Sequence, residues 1–211
     1  MKRRQMATGI CVLALASAPA ASASAAGESS LGNRSLAAVL TSDGNTFDSN
    51  WYDYDIVTEA ALAVLEAKPN SPVKVLADGN TRVTAFIPAD RAFQVLVKDL
   101  TGKTVRTEKG VFNVVASLGI DAIESVLLYH VVPGATITSG MAVKSNGVKL
   151  SSAQGGKIEV RVWNVWVPIV QLKDADKNDV DPFINPRGLD INKGNKQIAH
   201  GITLVLRPAD L

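Results

Sequence analysis

The stretch Thr84-Ala85-Phe86-Ile87-Pro88-Ala89-Asp90-Arg91-Ala92-Phe93 decides how this chain is read. Its first half is apolar and rich in β-formers, and it ends at a proline, which removes a ladder donor and closes a strand. Asp90 then reads as a helix N-cap, its carboxylate accepting from the first unpaired N–H groups. Phe93, Leu96, Val97 and Leu100 fall at i, i+3, i+4 and i+7, the stripe of a helix with one buried face. A strand running directly into a capped helix is therefore expected at the centre of the fold.

Towards the N-terminus, residues 73–87 hold two short strand-like runs around a turn at Asp78-Gly79. Before them, Asp55 opens a helix that reaches about Lys68 and is stopped by Pro69 and Pro72. Residues 41–54 are rich in Asp, Asn, Gly and Ser and read as a loop. Phe47, Trp51, Tyr52 and Tyr54 are expected to pin that loop to the core, exposure to a partner being the alternative. Ser35 caps a short helix ending at Leu40.

Towards the C-terminus, a helix over residues 108–118 ends at Gly119. Another opens with Asp121 and Glu124 in the spacing of a capping box, buries Ile123, Val126, Leu127 and His130, and stops at Pro133-Gly134. Strands follow. Residues 141–150 centre on Asn146-Gly147, the signal of a tight hairpin. Ile158, Val160 and Val162 alternate with Glu159 and Arg161, and the run continues through Trp163 and Trp166 to Leu172. Residues 173–197 are polar and irregular, and residues 201–206 form a closing strand. Helices first and hairpins after predict an α+β domain, with helices packed on an antiparallel sheet.

The ends and the composition bound the setting. Lys2, Arg3 and Arg4 precede an apolar run over residues 6–18 and a small-residue stretch with Ala-x-Ala sites ending at Ala23 or Ala25. Residues 1–26 are read as a secretory signal peptide that is removed, residues 27–34 as a flexible leader and residues 35–211 as one domain. Arg3-Arg4 also resembles a twin-arginine signal, but its surroundings match poorly and ordinary secretion is expected. The apolar run is shorter than the roughly 20 residues of a spanning helix, so no membrane span is expected in the mature chain. Cys11 lies in the signal. The mature domain then has no thiol and rests on its core without disulfides. Losing Lys2, Arg3 and Arg4 leaves 19 basic against 20 acidic residues, a net charge of −1. With no Lys/Arg run remaining, nucleic acid and anionic membranes are disfavoured as partners.

Three segments in order carry a resemblance: the stretch quoted first, Leu127-Leu128-Tyr129-His130-Val131-Val132-Pro133-Gly134, and Ile198-Ala199-His200-Gly201-Ile202 followed by Val205-Leu206-Arg207-Pro208. Together they resemble the signatures of fasciclin domains. The resemblance implies a β-sandwich of about seven strands with a packed layer of helices, in secreted and cell-surface proteins that act in adhesion. It implies neither catalysis nor a cofactor. Within the motifs, Thr84, Phe86, Pro88, Asp90, Phe93 and His200 are the matching structural positions. Tyr129, His130, Asp190 and Ile191 match elements proposed for receptor binding in some animal members. Lys196-Gln197 stands where the family usually has Asn-Gly, and the stretch over residues 163–195 is longer than the usual hairpin.

Among residues able to carry chemistry, His130 and His200 are the only histidines. Catalysis needs a nucleophile and an orienting acid, and zinc needs two further ligands; neither set is evident, so both rings are expected to be hydrogen-bonded in the core. Tyr129 is expected in the core first and as a contact second. Asp174, Asp176, Asn178, Asp179 and Asp181 alternate like a calcium loop. However, Asp179 occupies the glycine position and Asn185 that of the bidentate glutamate, so a solvated acidic loop is expected and no metal is assigned. Alternation puts Trp163 and Trp166 on opposite faces of their strand, one for the core and one as an interface anchor. The expectation is a secreted, non-enzymatic module that binds an extracellular protein or cell-surface glycan, with self-association as a further mode. Its surface would join the stretch over residues 163–195, with Trp163 and Trp166, to Asp190-Ile191. Two alternatives stand beside it: a carrier of a small apolar ligand, with a pocket near Phe93, Leu127 and Val205, and a hydrolase using His130 or His200.

Overall fold

The chain folds around a central sheet in which β1 (Val83–Pro88) lies between β2 (Val131–Pro133) and β6 (Gln197–Ile202) in the computed structural model, which describes residues 30–44, 47–164 and 169–209. β1 runs antiparallel to β2 and parallel to β6, from Val83 opposite Gln197 to Pro88 opposite Ile202. The purely antiparallel sheet expected from the sequence is thus corrected, because the chain returns to β1 only after crossing the rest of the domain. All six residues of β1 and of β6 are buried, as a sheet covered on both faces requires.

On one face Val83, Ala85, Ile87, Val131 and Ala199 pack under a layer of helices: α1 (Leu36–Leu40), α2 (Asp55–Ala67), α3 (Asp90–Thr101), α4 (Glu108–Ser117) and α5 (Ile120–Tyr129). On the other face Phe86, Val132 and Ile202 meet Ile158, Val160, Val170 and Leu172 of a second, antiparallel sheet. That sheet is built from β3 (Lys149–Ser151), β4 (Lys157–Asn164) and β5 (Ile169–Lys173). The result is an α+β sandwich with a helical layer, with six strands among the described residues where about seven were expected.

Local chemistry explains most departures. Asp90 does not cap its own helix: it is the first residue of α3, and Ala89 is the cap. Its Oδ1 instead accepts the Ile56 N–H of α2 at 2.9 Å, where the cap residue Tyr54 offers no side-chain bond. In return the carbonyls of Asp53 and Trp51 accept the N–H groups of Asp90 and Arg91 at 3.1 and 2.9 Å. Two helix starts thereby satisfy each other's unpaired donors. Asp121 does not cap α5 either: Gly119 does, at φ +90°, and Asp121 and Glu124 both bind Lys68 at the end of α2. The first strand-like run, from Val73, lies instead in a 3-10 helix, Pro72–Ala77, with Pro72 in its first turn and Ser71 as its cap. Thr138 caps a short helix, α6 (Ser139–Ala142), so the Asn146-Gly147 turn joins a helix to β3 and not two strands. Phe47, Trp51 and Tyr54 pin their loop to the core, while Tyr52 is 76% exposed.

The expected signal peptide and residues 27–29 lie outside the described residues. Residues 31–34, read as leader, belong to the compact unit Leu31–Leu211. Gly32 exchanges main-chain hydrogen bonds with Gly194 and Lys196, and the Arg34 N–H reaches Asn195 Oδ1 at 3.0 Å. A Cβ on Gly79 would sit 1.7 Å from the Asn33 carbonyl oxygen, so only glycine lets this segment lie where it does. Gln197, in the place of the family's Asn-Gly, is fully buried. It accepts from Leu36 N and donates to the carbonyls of Val75 and Asp78, joining β6 to the helical layer.

Candidate functional site

His130 caps the end of α5 inside the core. Its Nδ1–H donates to the Val126 carbonyl at 2.7 Å and its Nε2 accepts the Leu206 N–H at 2.9 Å. Burial lowers its pKa to about 4, against the opposing pull of the Val126 carbonyl. His200 is fully buried on β6, donates from Nε2 to the Ile137 carbonyl at 2.8 Å and accepts the Asp190 N–H at Nδ1. Burial lowers its pKa as well. With both ring nitrogens of each histidine bound to main chain, neither is placed to take a proton from a substrate or to ligate zinc. The hydrolase alternative loses its base.

The other residues that matched receptor-binding elements also face inward. Tyr129 has no exposed surface, and its hydroxyl donates to the Lys157 carbonyl at 2.8 Å, linking the helical layer to β4. Burial pushes its pKa up to about 12. Asp190 holds a left-handed backbone, φ +53°, and its carboxylate accepts from Ser139 N at 2.7 Å, Ser139 Oγ at 2.8 Å and Lys193 Nζ at 3.1 Å. Burial alone would raise its pKa, but these bonds outweigh it and hold the group below the ordinary carboxylate value. Ile191 exchanges two main-chain bonds with Ala199 and packs on the helical-layer core. Asp190-Ile191 is a clasp on β6, Tyr129 is buried, and His130 is buried but borders the apolar pocket described below.

The motif positions likewise build the fold. The Thr84 hydroxyl donates to the Ala135 carbonyl and accepts the Ile137 N–H; Phe86 fills the space between the sheets 6.2 Å from the His200 ring. Pro88 ends β1, and Phe93 packs in the helical layer.

The acidic loop expected in solvent is not solvated. Arg207 reaches into it, with Nη1 3.5 Å from Asp176, Nε 3.2 Å from Asp179 and Nη2 2.6 Å from Asp99. Asp174 accepts the Arg207 N–H at 2.8 Å, and Asp174 and Asp176 are buried. The alternate carboxylates that resembled calcium ligands thus collect around a guanidinium contributed by the closing motif.

Two features remain open to a ligand. Trp163, on β4 at an irregular register with β5, is 68% exposed, and its indole N–H donates to Gln171 Oε1 at 3.1 Å. Ile169, paired with the neighbouring Asn164, is 41% exposed. Trp166 lies outside the described residues. The second feature is a pocket of about 400 Å³ within the helical layer, walled by Phe93, Leu96, Leu100, Val115, Ile123 and Leu127. Val205, expected in its wall, lines a separate groove beside α3 and Arg207. Phe93 and Leu127, two of the three residues expected to wall a carrier pocket, do line it; the rest of its lining reads in the sequence as ordinary core spacing.

The family model of the fasciclin domain matches residues 58–181, more than half of the chain. The chain belongs to the fasciclin domain family. Fasciclin domains are non-enzymatic modules associated with cell adhesion, and proteins that carry them are typically extracellular or at the cell surface. Among solved structures, the FAS1 domain pair from the insect cell adhesion molecule Fasciclin I is similar to this fasciclin domain at 18% identity and a TM-score of 0.48. The alignment covers 72% of this chain and 45% of the pair, so the chain spans less than half that length. Comparison with curated proteins gives no match. No single helix among the described residues is long and apolar enough to cross a membrane.

Proposed function

We propose that this fasciclin domain is a secreted adhesion module that recognises an extracellular protein or a cell-surface glycan at the cell envelope or in the matrix. The observation that carries the reading is Trp163. A side chain of that size left 68% exposed, and oriented by its bond to Gln171, serves no purpose in the core. Indole is among the side chains enriched as anchors of protein interfaces, and its flat apolar face also stacks on sugar rings. Ile169 beside it widens the apolar patch. Recognition is by surface complementarity, with no chemical step. The test is capture of whole cells and extracellular matrix by the purified mature domain, compared with Trp163→Ala and with Trp163→Ala/Trp166→Ala. Retention by the wild type and loss by the folded variants supports the reading. Equal capture by all three removes Trp163 from the surface, and capture by none removes the adhesion role.

The pocket favours a second reading, a carrier of a small apolar ligand. At about 400 Å³ it lies in the range of small-molecule sites, and its walls are almost wholly apolar. Ala122 is exposed at its edge, so Ala122→Phe fills the space without disturbing the core. Enhanced emission of an environment-sensitive naphthylamine dye with the wild type, lost in Ala122→Phe, supports carriage. A wild type that leaves the dye dark rules it out.

A further inference from the structure

Three carboxylates converge where the loop before α2 meets the starts of α3 and α4. Asp53, Asp90 and Glu108 each bring an oxygen within 4.8 Å of the other two. Asp90 is fully buried and Glu108 is 2% exposed. Each of these two spends one oxygen on main chain: Asp90 Oδ1 accepts Ile56 N at 2.9 Å, and Glu108 Oε2 accepts Ser49 N at 3.0 Å. The remaining oxygens, Asp90 Oδ2 and Glu108 Oε1, are buried without a hydrogen-bond partner, and so is Asp53 Oδ1. Asp53 also belongs to a second group of three with Asp48 and Asp55. No ion pair among the described residues involves Asp53, Asp90 or Glu108.

Such an arrangement is unfavourable as it stands. Buried carboxylates need hydrogen bonds or a counter-charge, and like charges at this separation repel. The backbone bonds meanwhile hold Asp90 and Glu108 in place, so neither swings out to solvent. The acidic loop around Arg207 is the internal contrast: there a guanidinium supplies the balance.

We propose that Asp53, Asp90 and Glu108 form a calcium-binding site that ties the loop over residues 47–54 to the starts of α3 and α4. The donors are all carboxylate oxygens, which select a hard cation over zinc or copper. Calcium fits better than magnesium because it accepts an irregular, oxygen-rich shell of 6–8 ligands. Asp48, Asp55 and water are the groups at hand to complete that shell. Nothing local marks the site in the sequence, because its three acids are far apart and each sits beside a helix start, where an acid reads as a cap.

The experiment uses the purified chain after EDTA treatment and dialysis. Thermal melts and isothermal titration calorimetry with calcium chloride are run on the wild type, Glu108→Gln and Asp53→Asn. Gln at 108 still accepts the Ser49 N–H, so that variant keeps its fold. The proposal predicts a calcium heat of binding and a wild-type melting temperature that climbs with the logarithm of calcium concentration. Both are lost in each variant, and in EDTA each variant melts above the wild type because repulsion is relieved. A wild type whose melting is the same in EDTA and in millimolar calcium, with no heat of binding, overturns the proposal. So does a calcium-dependent shift that Glu108→Gln and Asp53→Asn retain in full.

Discussion

The Nε2 of His130 accepts the backbone N–H of Leu206 at 2.9 Å, joining the end of α5 to the chain leaving β6. A proton on that nitrogen would set donor against donor in a buried site. The folded pKa, about 4, lies below the ordinary value of 6.5, so on acidification the unfolded chain takes up the proton first. This group's contribution is complete above pH 6.5 and is lost as pH falls towards 4. Its full size is of order 3 kcal/mol. Denaturant titrations between those two pH values should show a steeper loss of stability in the wild type than in His130→Asn. The comparison cancels Asp174, whose pKa burial raises to about 7 and whose contribution has the opposite sign.

Arg207 balances the buried Asp176 and the half-buried Asp179. Arg207→Met leaves those charges without a partner and is expected to cost about 3–5 kcal/mol. Asp99→Asn removes only the outermost acid, which is 56% exposed, and should cost under about 1 kcal/mol. Thermal or urea melts of the two variants measure the contrast.

Gly156 lies against the ring of Tyr129, where an added Cβ would come within 2.6 Å of Cε2. Gly156→Ala should therefore destabilise by about 1–3 kcal/mol through overpacking. Tyr129→Phe, which removes the bond to the Lys157 carbonyl, should cost about 1 kcal/mol. The two sites touch, so the double variant should depart from additivity, and urea melts of the four proteins provide the cycle.

Trp163→Ala should leave stability within about 0.5 kcal/mol, since most of the indole faces solvent. Binding to a captured partner should weaken by about 30-fold or more if the indole is an anchor, a loss of about 2 kcal/mol. Paired urea melts and surface-plasmon titrations separate the two effects.

The fold was legible where one residue's chemistry is local. Ser35, Pro69 and Gly119 mark element ends that the structure keeps, and in the stripe of α3 Phe93, Leu96 and Val97 are buried and Leu100 partly so. What escaped were acids and turns whose partners are distant in the chain. Asp90 reads as a cap for its own helix until Ile56 is seen beside it, and the 174–181 acids read as solvated until Arg207 is seen among them. Asn146-Gly147 specifies a turn, but nothing local says that Thr138 has already begun a helix. The histidines were legible as core residues because neither had a visible catalytic partner. The pocket was legible only in part, through Phe93 and Leu127, and the carboxylate cluster was not, because both exist only between elements.

The parallel pairing of β1 with β6 has a consequence in time. Between those strands lie four helices and four strands, so the central sheet cannot close until almost the whole domain has been made. The edge of β1 that β6 covers stays open until that last strand is supplied. Loop closure of that length delays folding and prolongs the exposure of an apolar edge. Refolding should therefore be slow for a domain of this size, and any chaperone that serves it would find the edge of β1 that faces β6 still unpaired.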